Sequence, residues 1–194
     1  SDPPGDPCVH RFREAVAAGA VPFSVQGPEN GWCLDGGRTI GWEMAAQDPS
    51  LQRVFVQIGA GAFAACISAG LAEGGSTPRL HAVQTQSCAP LARAWVQLST
   101  VDGDPARHWT ELMWPWEDVQ SSAADGILDD ETYDWLPVVA AMRATGGSPV
   151  VVGETDVLQA NEVGCSTTGI DASHTGTAGL AGLLAARGDV DPHE

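Results

Sequence analysis

Lysine is absent from all 194 residues, and each of the nine basic residues is an arginine. A step that needs a lysine amine, either as a nucleophile or as a phosphate ligand, therefore cannot use any residue of this sequence. The Walker phosphate loop is excluded for the same reason, because its GxxxxGK motif depends on the lysine.

Positive charge is scarce altogether, since 25 acidic residues oppose the nine arginines and the net charge is -16. This balance argues against nucleic acid or an anionic membrane as a partner. Long apolar runs are also lacking, because none approaches the roughly 18 residues of a membrane span. The first residues, SDPPGDPC, do not have the layout of a secretion signal. We therefore expect a soluble protein that does not engage a membrane.

Paired cysteines and metal-binding patterns are missing as well. The five cysteines are odd in number and never form a CxxC motif. They indicate a reducing compartment, the cytoplasm, in which free cysteines act as small hydrophobic residues. The five histidines lack metal-ligand spacing, and the acidic run at 129–131 lacks the spacing of a calcium loop. The sequence predicts no metal site.

Segments of helical and strand periodicity alternate along most of the chain. The 43% hydrophobic content is sufficient for a core, and the segment 53–58 is apolar enough for a strand buried on both faces. We predict one α/β domain over residues 1–194, a three-layer sandwich with a mainly parallel sheet flanked by helices. The predicted strands are 21–25, 53–58, 79–85 and 148–153. The predicted helices are 8–18, 38–47, 62–73, 89–98, 135–145, 154–162 and 175–187, and residues 26–37 are predicted to be turns.

A long irregular segment, residues 99–134, interrupts this alternation. Structureless loops of this length are uncommon in compact domains and are often functional. The segment contains Trp114, Trp116 and Tyr133 together with the acidic run at 129–131. Two interpretations stay open: it forms a lid or wall of a substrate channel, or it is a packed surface loop with solvated or helix-capping carboxylates.

A glycine turn, IGAGAF at residues 58–63, follows the predicted strand 53–58. A turn between a strand and a helix start is a general anion site, because exposed amides and the helix dipole favour negative charge there. Gly59 and Gly61 let the backbone approach a phosphate closely. Because the Walker loop is excluded, three interpretations of the turn remain: a dinucleotide site, a site for the phosphate of a cofactor such as pyridoxal phosphate, or a tight turn without a ligand.

The dinucleotide interpretation rests on Gly59, Gly61 and Ala64, which match a GxGxxA pattern. That motif also requires an acidic residue at the end of the next strand to bind ribose hydroxyls. The next predicted strand ends in VQTQ at 83–86, without a carboxylate. The missing carboxylate weakens the dinucleotide interpretation.

Taken with its surroundings, the turn resembles the glycine-rich phosphate loop of fold type II pyridoxal-phosphate enzymes, the threonine synthase and threonine dehydratase group of the tryptophan synthase beta superfamily. Further segments are similar to that family in the same order along the chain: LDGGRTIGWEM (34–44), RLHAVQTQSCAPLARAW (79–95), SAADGI (122–127) and GTAGLAGLLAA (176–186). The resemblance implies that the chain forms most of the large domain of such an enzyme.

The resemblance also implies a cofactor, pyridoxal 5'-phosphate, and the residues that contact it. The backbone amides of residues 59–63 would hold the phosphate, and Gly126 would lie beside the pyridoxal ring. The five residues of the turn are Gly59, Ala60, Gly61, Ala62 and Phe63. Many members of the family have a further glycine where this chain has Ala62, which places a methyl group near the phosphate.

The implied activity is elimination or replacement on a hydroxy- or substituted amino acid. In this family the Schiff-base lysine lies in an N-terminal half that the sequence does not include, and a final strand with a Ser or Thr would follow residue 194. We therefore expect a C-terminal half of the large domain, with no catalytic residue of its own and inactive alone. We also expect it to form a homodimer or to pair with a chain that carries the other half. The alternatives are a non-catalytic binding module, one half of a split enzyme, or an NAD(P)-binding domain.

Overall fold

The computed structural model describes residues 7–190. Its strands are β1 (Arg53–Gln57), β2 (Arg79–Thr85) and β3 (Pro149–Val152). Its helices are α1 (Pro7–Ala17), α2 (Trp32–Gln47), α3 (Ala62–Glu73), α4 (Pro90–Gln97), α5 (Trp109–Leu112), α6 (Trp135–Thr145), α7 (Glu154–Thr168) and α8 (His174–Ala186). Short 3-10 turns lie at Leu98–Thr100, Pro105–His108 and Asp125–Ile127.

The described strands form one parallel sheet in the order β1-β2-β3. Arg53 of β1 lies beside Arg79 of β2, and Ala82 of β2 lies beside Pro149 of β3. The carboxyl ends of parallel strands lie at one edge of a sheet, which is where α/β proteins bind ligands. The connections that follow the three strands therefore meet at a single edge.

Helices cover both faces of the sheet, so the architecture has three layers. One core cluster joins alternate residues of β1 and β2, such as Val54 and Leu80, to α3, α4 and α6. A smaller cluster joins Val83 and Val152 to α7 and α8 and includes the fully buried Ala178. The central strand β2 is buried from residue 80 to residue 85 because both of its faces are covered. The predicted α/β fold with a parallel sheet is confirmed.

Two local predictions are wrong. Residues 21–25 form no strand: Val21 and Phe23 are 88% and 98% exposed, and the segment pairs with no strand among residues 7–190. Helix α2 begins at Trp32 rather than at residue 38, so part of the predicted turn is helical. The space left by the missing Cβ of Gly37 is filled by the Cys66 side chain of α3, so a residue typical of turns serves here as a helix contact.

Most other elements lie where they were predicted, with shifted ends. Helix α7 continues to Thr168, six residues past its predicted end, and stops at Gly169, whose φ of 71° is left-handed. The long segment 99–134 contains the short helix α5 and 3-10 turns, and no longer helix or strand. Within residues 7–190 no helix is both long enough and apolar enough to span a membrane.

Candidate cofactor site

The glycine turn connects the carboxyl end of β1 to the start of α3. The Ile58 amide donates a hydrogen bond to the Val83 carbonyl at 2.8 Å, so strand pairing persists up to the turn. Gly61 precedes α3 with a φ of 98°, a backbone conformation that a residue with a side chain adopts only under strain. No side chain caps the helix at this position, and the first amides of any helix lack intrahelical acceptors. The local geometry is that of an anion-binding turn.

The second wall of the site comes from the end of the long segment. The Gly126 amide donates a hydrogen bond to Thr175 Oγ1 of α8 at 3.1 Å, and a Cβ atom on residue 126 would lie 3.0 Å from the same hydroxyl. Helix α8 packs across the sheet. Its hydrogen bond with Gly126 therefore holds the 3-10 turn at Asp125–Ile127 near the edge of the sheet where β1 ends. Gly126 therefore faces the glycine turn although 65 positions separate it from Gly61.

The two walls enclose an open cavity of about 280 Å³. Its lining includes all six residues that the sequence nominated, together with four that it did not: Gly59, Ala60, Gly61, Ala62, Phe63 and Gly126, and then Gln57, Ile127, Asp129 and Thr175. Thr175 is not the cap of α8, because Ser173 fills that role by accepting a hydrogen bond from the Gly176 amide at 3.1 Å. Asp129 belongs to the long segment, for which two interpretations were open: a lid or wall of a substrate channel, and a packed surface loop. No local signal marked either residue, because the tertiary contact brings them to the turn.

A buried layer supports the turn from behind. The Asp134 amide donates to the Ala60 carbonyl at 2.8 Å, and the Asp134 carboxylate accepts from the Gly27 amide at 3.0 and 3.1 Å. Asp134 is 2% exposed, and burial raises the pKa of its carboxyl while the Gly27 amide opposes that shift. The side chain of Thr132 lies beside Asp134, 3.0 Å from the position of a Cβ on Gly61. The turn is thus supported by the stretch that leads into α6.

The strand end that a dinucleotide site would use is occupied by structural contacts. Gln84 of β2 is fully buried; its Oε1 accepts from the Ala92 amide at 3.0 Å, and its Nε2 donates to Thr132 Oγ1 at 3.3 Å. An amide in this place ties the strand to the start of α4 and to the wall of the cavity. It does not present a carboxylate to a ribose.

The tryptophans of the long segment do not line the cavity. The guanidinium of Arg93 lies 3.7 Å from the ring centre of Trp114 and 5.1 Å from that of Trp116, and it pairs with Glu117 at 3.1 Å. This aromatic stack fastens the segment to α4. Only its later part, residues 126–129, reaches the cavity. The two interpretations of the long segment therefore apply to different stretches: residues 126–129 form a wall of the cavity, and the stretch around Trp114 and Trp116 is a packed loop.

The residues present fit the phosphate end of a pyridoxal cofactor. Gly61 has the left-handed conformation, the side chains at 60 and 62 are methyl groups, and the carboxylate of Asp129 occupies the space that a Cβ on Gly59 would need. Such a turn presents amides to an oxyanion without a side chain in the way. Among residues 7–190 no three side chains are grouped to hold a metal ion.

The fold and this cavity define an α/β protein with a glycine turn between a buried parallel strand and a helix. Residues 5–194 match the family model described as pyridoxal-phosphate dependent enzyme, and the chain belongs to that family. The cofactor of the family is pyridoxal 5'-phosphate, as predicted. None of the curated proteins matches the sequence.

Three solved structures share the fold and are distant in sequence. A threonine deaminase from T.th. has 17% identity and a TM-score of 0.64 over 82% of this chain and 53% of its own. Maize serine racemase has 19% identity and a TM-score of 0.57 over 78% and 42%. Diaminopropionate ammonia lyase from Escherichia coli has 16% identity and a TM-score of 0.56 over 80% and 38%. The chain thus covers about half of these proteins or less, and the likeness confirms the fold type II architecture.

Proposed function

We propose that these residues supply the phosphate end of a pyridoxal-phosphate site in an enzyme that acts on an amino acid. The observation that carries the proposal is the single cavity into which the fold brings the glycine turn at 59–63 and Gly126. Backbone amides at the turn would hold the ester without a titrating side chain, and the α3 dipole would favour its charge. Thr175 would keep Gly126 in place beside the ring through its hydrogen bond at 3.1 Å.

The reaction that we propose for the whole enzyme is elimination or replacement at an amino acid, of the threonine synthase or threonine dehydratase kind. When bound, pyridoxal phosphate supplies an electron sink for negative charge at the amino acid's α-carbon. The chain contains no lysine, so the lysine that carries the cofactor must come from residues outside this sequence. On its own the chain should bind the phosphate ester and catalyse nothing, and its full assembly is a homodimer or a pairing with a chain that carries the lysine.

The lysine count also favours a second candidate, a non-catalytic binding module or one half of a split enzyme. Both candidates use the same phosphate site and differ in whether a lysine-bearing partner completes it. An NAD(P)-binding domain is a weaker third candidate, because Gln84 is committed to Ala92 and Thr132. Nucleic acid is not expected as a partner at a net charge of -16.

The test is a comparison of ligands by isothermal titration calorimetry and thermal unfolding. Pyridoxine 5'-phosphate, which lacks the reactive aldehyde, should bind and raise the midpoint of unfolding, whereas pyridoxine and NAD should do neither. After incubation with pyridoxal 5'-phosphate and borohydride reduction, mass spectrometry should find no adduct on an internal residue. Stabilisation by NAD alone would support the dinucleotide domain, and equal binding of pyridoxine and its phosphate would contradict the phosphate site.

A further inference from the structure

The carboxylate of Asp129 lies against the glycine turn. Its Oδ2 atom occupies the space that a Cβ on residue 59 would need, and the Cα of Ile127 lies 3.1 Å from that same position. Asp129 is also the charged residue among those that line the cavity. A negative charge therefore borders a site whose backbone amides favour an anion.

The backbone at Asp129 and just after it is held by hydrogen bonds. The Cys88 thiol donates to the Asp129 carbonyl at 3.1 Å, and the Trp116 amide donates to the Asp130 carbonyl at 2.8 Å. Farther along, the buried Thr132 accepts a hydrogen bond from the Gln84 side chain at 3.3 Å. With the main chain held, the carboxylate stays beside whatever occupies the cavity unless its side chain rotates.

A phosphate monoester and an ionised carboxylate repel each other at close range. The ester carries about -1.5 to -2 charges at pH 7, and its second pKa is about 6. Two like charges that share a site favour protonation of one of them. One proton between their oxygens replaces the repulsion with a short, charge-assisted hydrogen bond.

We propose that Asp129 makes this cavity take a phosphate monoester together with one proton, drawn from the solvent and held between the carboxylate and the phosphate. The inference rests on the proposed function and adds the ionic form of the ligand, a monoanion. Because the free ester is largely the dianion above about pH 6, the affinity falls as the pH rises beyond that value. The cavity therefore binds its ester more weakly at high pH than the turn alone would.

Other titratable groups surround this segment, but none of them lines the cavity. They come from the segment itself, from the connection that follows β2 and from the start of α8: Asp125, Asp130, Glu131, Tyr133, Cys88 and His174. Burial raises the pKa of Cys88 to about 12, with Asp130 and Asp129 adding to the shift, so the thiol stays neutral. Burial likewise raises the pKa of Glu131 and of Tyr133. Asp125 and His174 serve as matched controls.

The experiment is calorimetry of the whole 194-residue chain with pyridoxine 5'-phosphate in two buffers of different ionisation enthalpy. The difference in heat between the buffers reports proton uptake. Near pH 8 the wild type should take up close to one proton per ester, and its affinity should fall about tenfold for each pH unit above 7. Asp129→Asn should bind about tenfold more tightly near pH 8 and take up almost no proton. Asp129→Ser, a second variant without the charge, should behave likewise.

Two controls separate this proton from general charge effects. Asp125→Asn removes the same charge from an exposed position outside the cavity, and His174→Asn removes the imidazole next to Thr175. Both should keep the affinity and the proton uptake of the wild type. Equal proton uptake in the wild type and both Asp129 variants would overturn the inference, as would a tightening in Asp125→Asn equal to that in Asp129→Asn. If the wild type binds the ester but not pyridoxine and the Asp129 variants change nothing, only this inference fails. If no variant binds the ester, the proposed function fails too.

Discussion

The amide of Asp134 donates a hydrogen bond to the carbonyl of Ala60 at 2.8 Å, which joins the start of α6 to the glycine turn. The carboxylate of the same residue accepts from the amide of Gly27, near the start of α2. One buried residue thus couples the turn to two distant parts of the chain. A carboxylate in this place also makes stability depend on pH.

Replacing Asp134 with Asn should flatten that pH dependence. Burial raises the pKa of the folded carboxyl above its ordinary value of 3.8. As the pH rises from about 4, the unfolded chain loses this proton first, so the contribution to stability is present below the unfolded pKa and is lost as the pH passes the folded pKa. In urea unfolding at several pH values, the free energy of unfolding of Asp134→Asn should therefore increase relative to that of the wild type as the pH rises. Parallel curves for the two proteins would contradict this.

Asp134→Ala is the companion variant, because it removes the acceptor as well as the charge. The half-buried amide of Gly27 would then lack its partner, at a cost of about 1–3 kcal/mol in the free energy of unfolding. Asn retains an acceptor oxygen, so Asp134→Asn should be clearly more stable than Asp134→Ala at neutral pH. Equal unfolding midpoints in urea would show that the hydrogen bond to Gly27 contributes little.

Replacing Gly59 with Ala should close the phosphate site. The added methyl group would collide with the Asp129 carboxylate and would lie 3.1 Å from the Cα of Ile127. We expect the free energy of unfolding to fall by about 1–3 kcal/mol. We also expect that binding of pyridoxine 5'-phosphate is no longer measurable. Gly36→Ala is the matched control, because a Cβ there meets no atom within 4 Å inside α2, and it should gain up to about 1 kcal/mol. Full ester binding by Gly59→Ala would argue against the turn as the anchor.

Replacing Arg93 with Lys should loosen the long segment. A lysine cannot reproduce a planar guanidinium that stacks 3.7 Å from the ring centre of Trp114. We expect a loss of about 1 kcal/mol in urea unfolding and a shift of tryptophan fluorescence to longer wavelength. Arg143→Lys makes the same exchange at an exposed position on α6 and should stay within about 0.5 kcal/mol of the wild type. An unchanged emission spectrum in Arg93→Lys would contradict the structural role of the stack.

The apolar surface near α2 should drive self-association. Val21, Phe23 and Trp32 are 88%, 98% and 87% exposed, and such surface is typical of interaction sites. Replacing Phe23 and Trp32 together with Ser should lower the sedimentation coefficient at high protein concentration. Val96→Ser, at a 73% exposed position on α4, should have no such effect. A wild-type chain that sediments as a monomer at every concentration would refute this expectation.

The elements around the site could be predicted because their signals are local. The apolar run 53–57 followed by Gly59 and Gly61 specifies a buried strand, a turn and a helix start within about a dozen positions. The ordered resemblance likewise predicts that Gly126 lies beside the ring of the cofactor whose phosphate the turn would hold. The same local reasoning was wrong for residues 21–25, where strand propensity is present but no neighbouring strand is available for pairing among residues 7–190. Propensity without a pairing partner does not make a strand.

The residue composition limits the chemistry of the chain: without a lysine it has no side-chain amine through which to bind the cofactor, whatever its fold. Periodicity was likewise sufficient for the alternation of strands and helices. The identity of the residues opposite the turn depended on packing. Asp129 and Thr175 are far from Gly59 along the chain, and no local sequence pattern distinguishes them. They reach the cavity because α8 crosses the sheet and because hydrogen bonds from Gly126 to Thr175 and from Cys88 to Asp129 hold the 126–129 stretch in place. Contacts between remote positions follow from the packing of whole layers, and a short stretch of sequence does not contain that information.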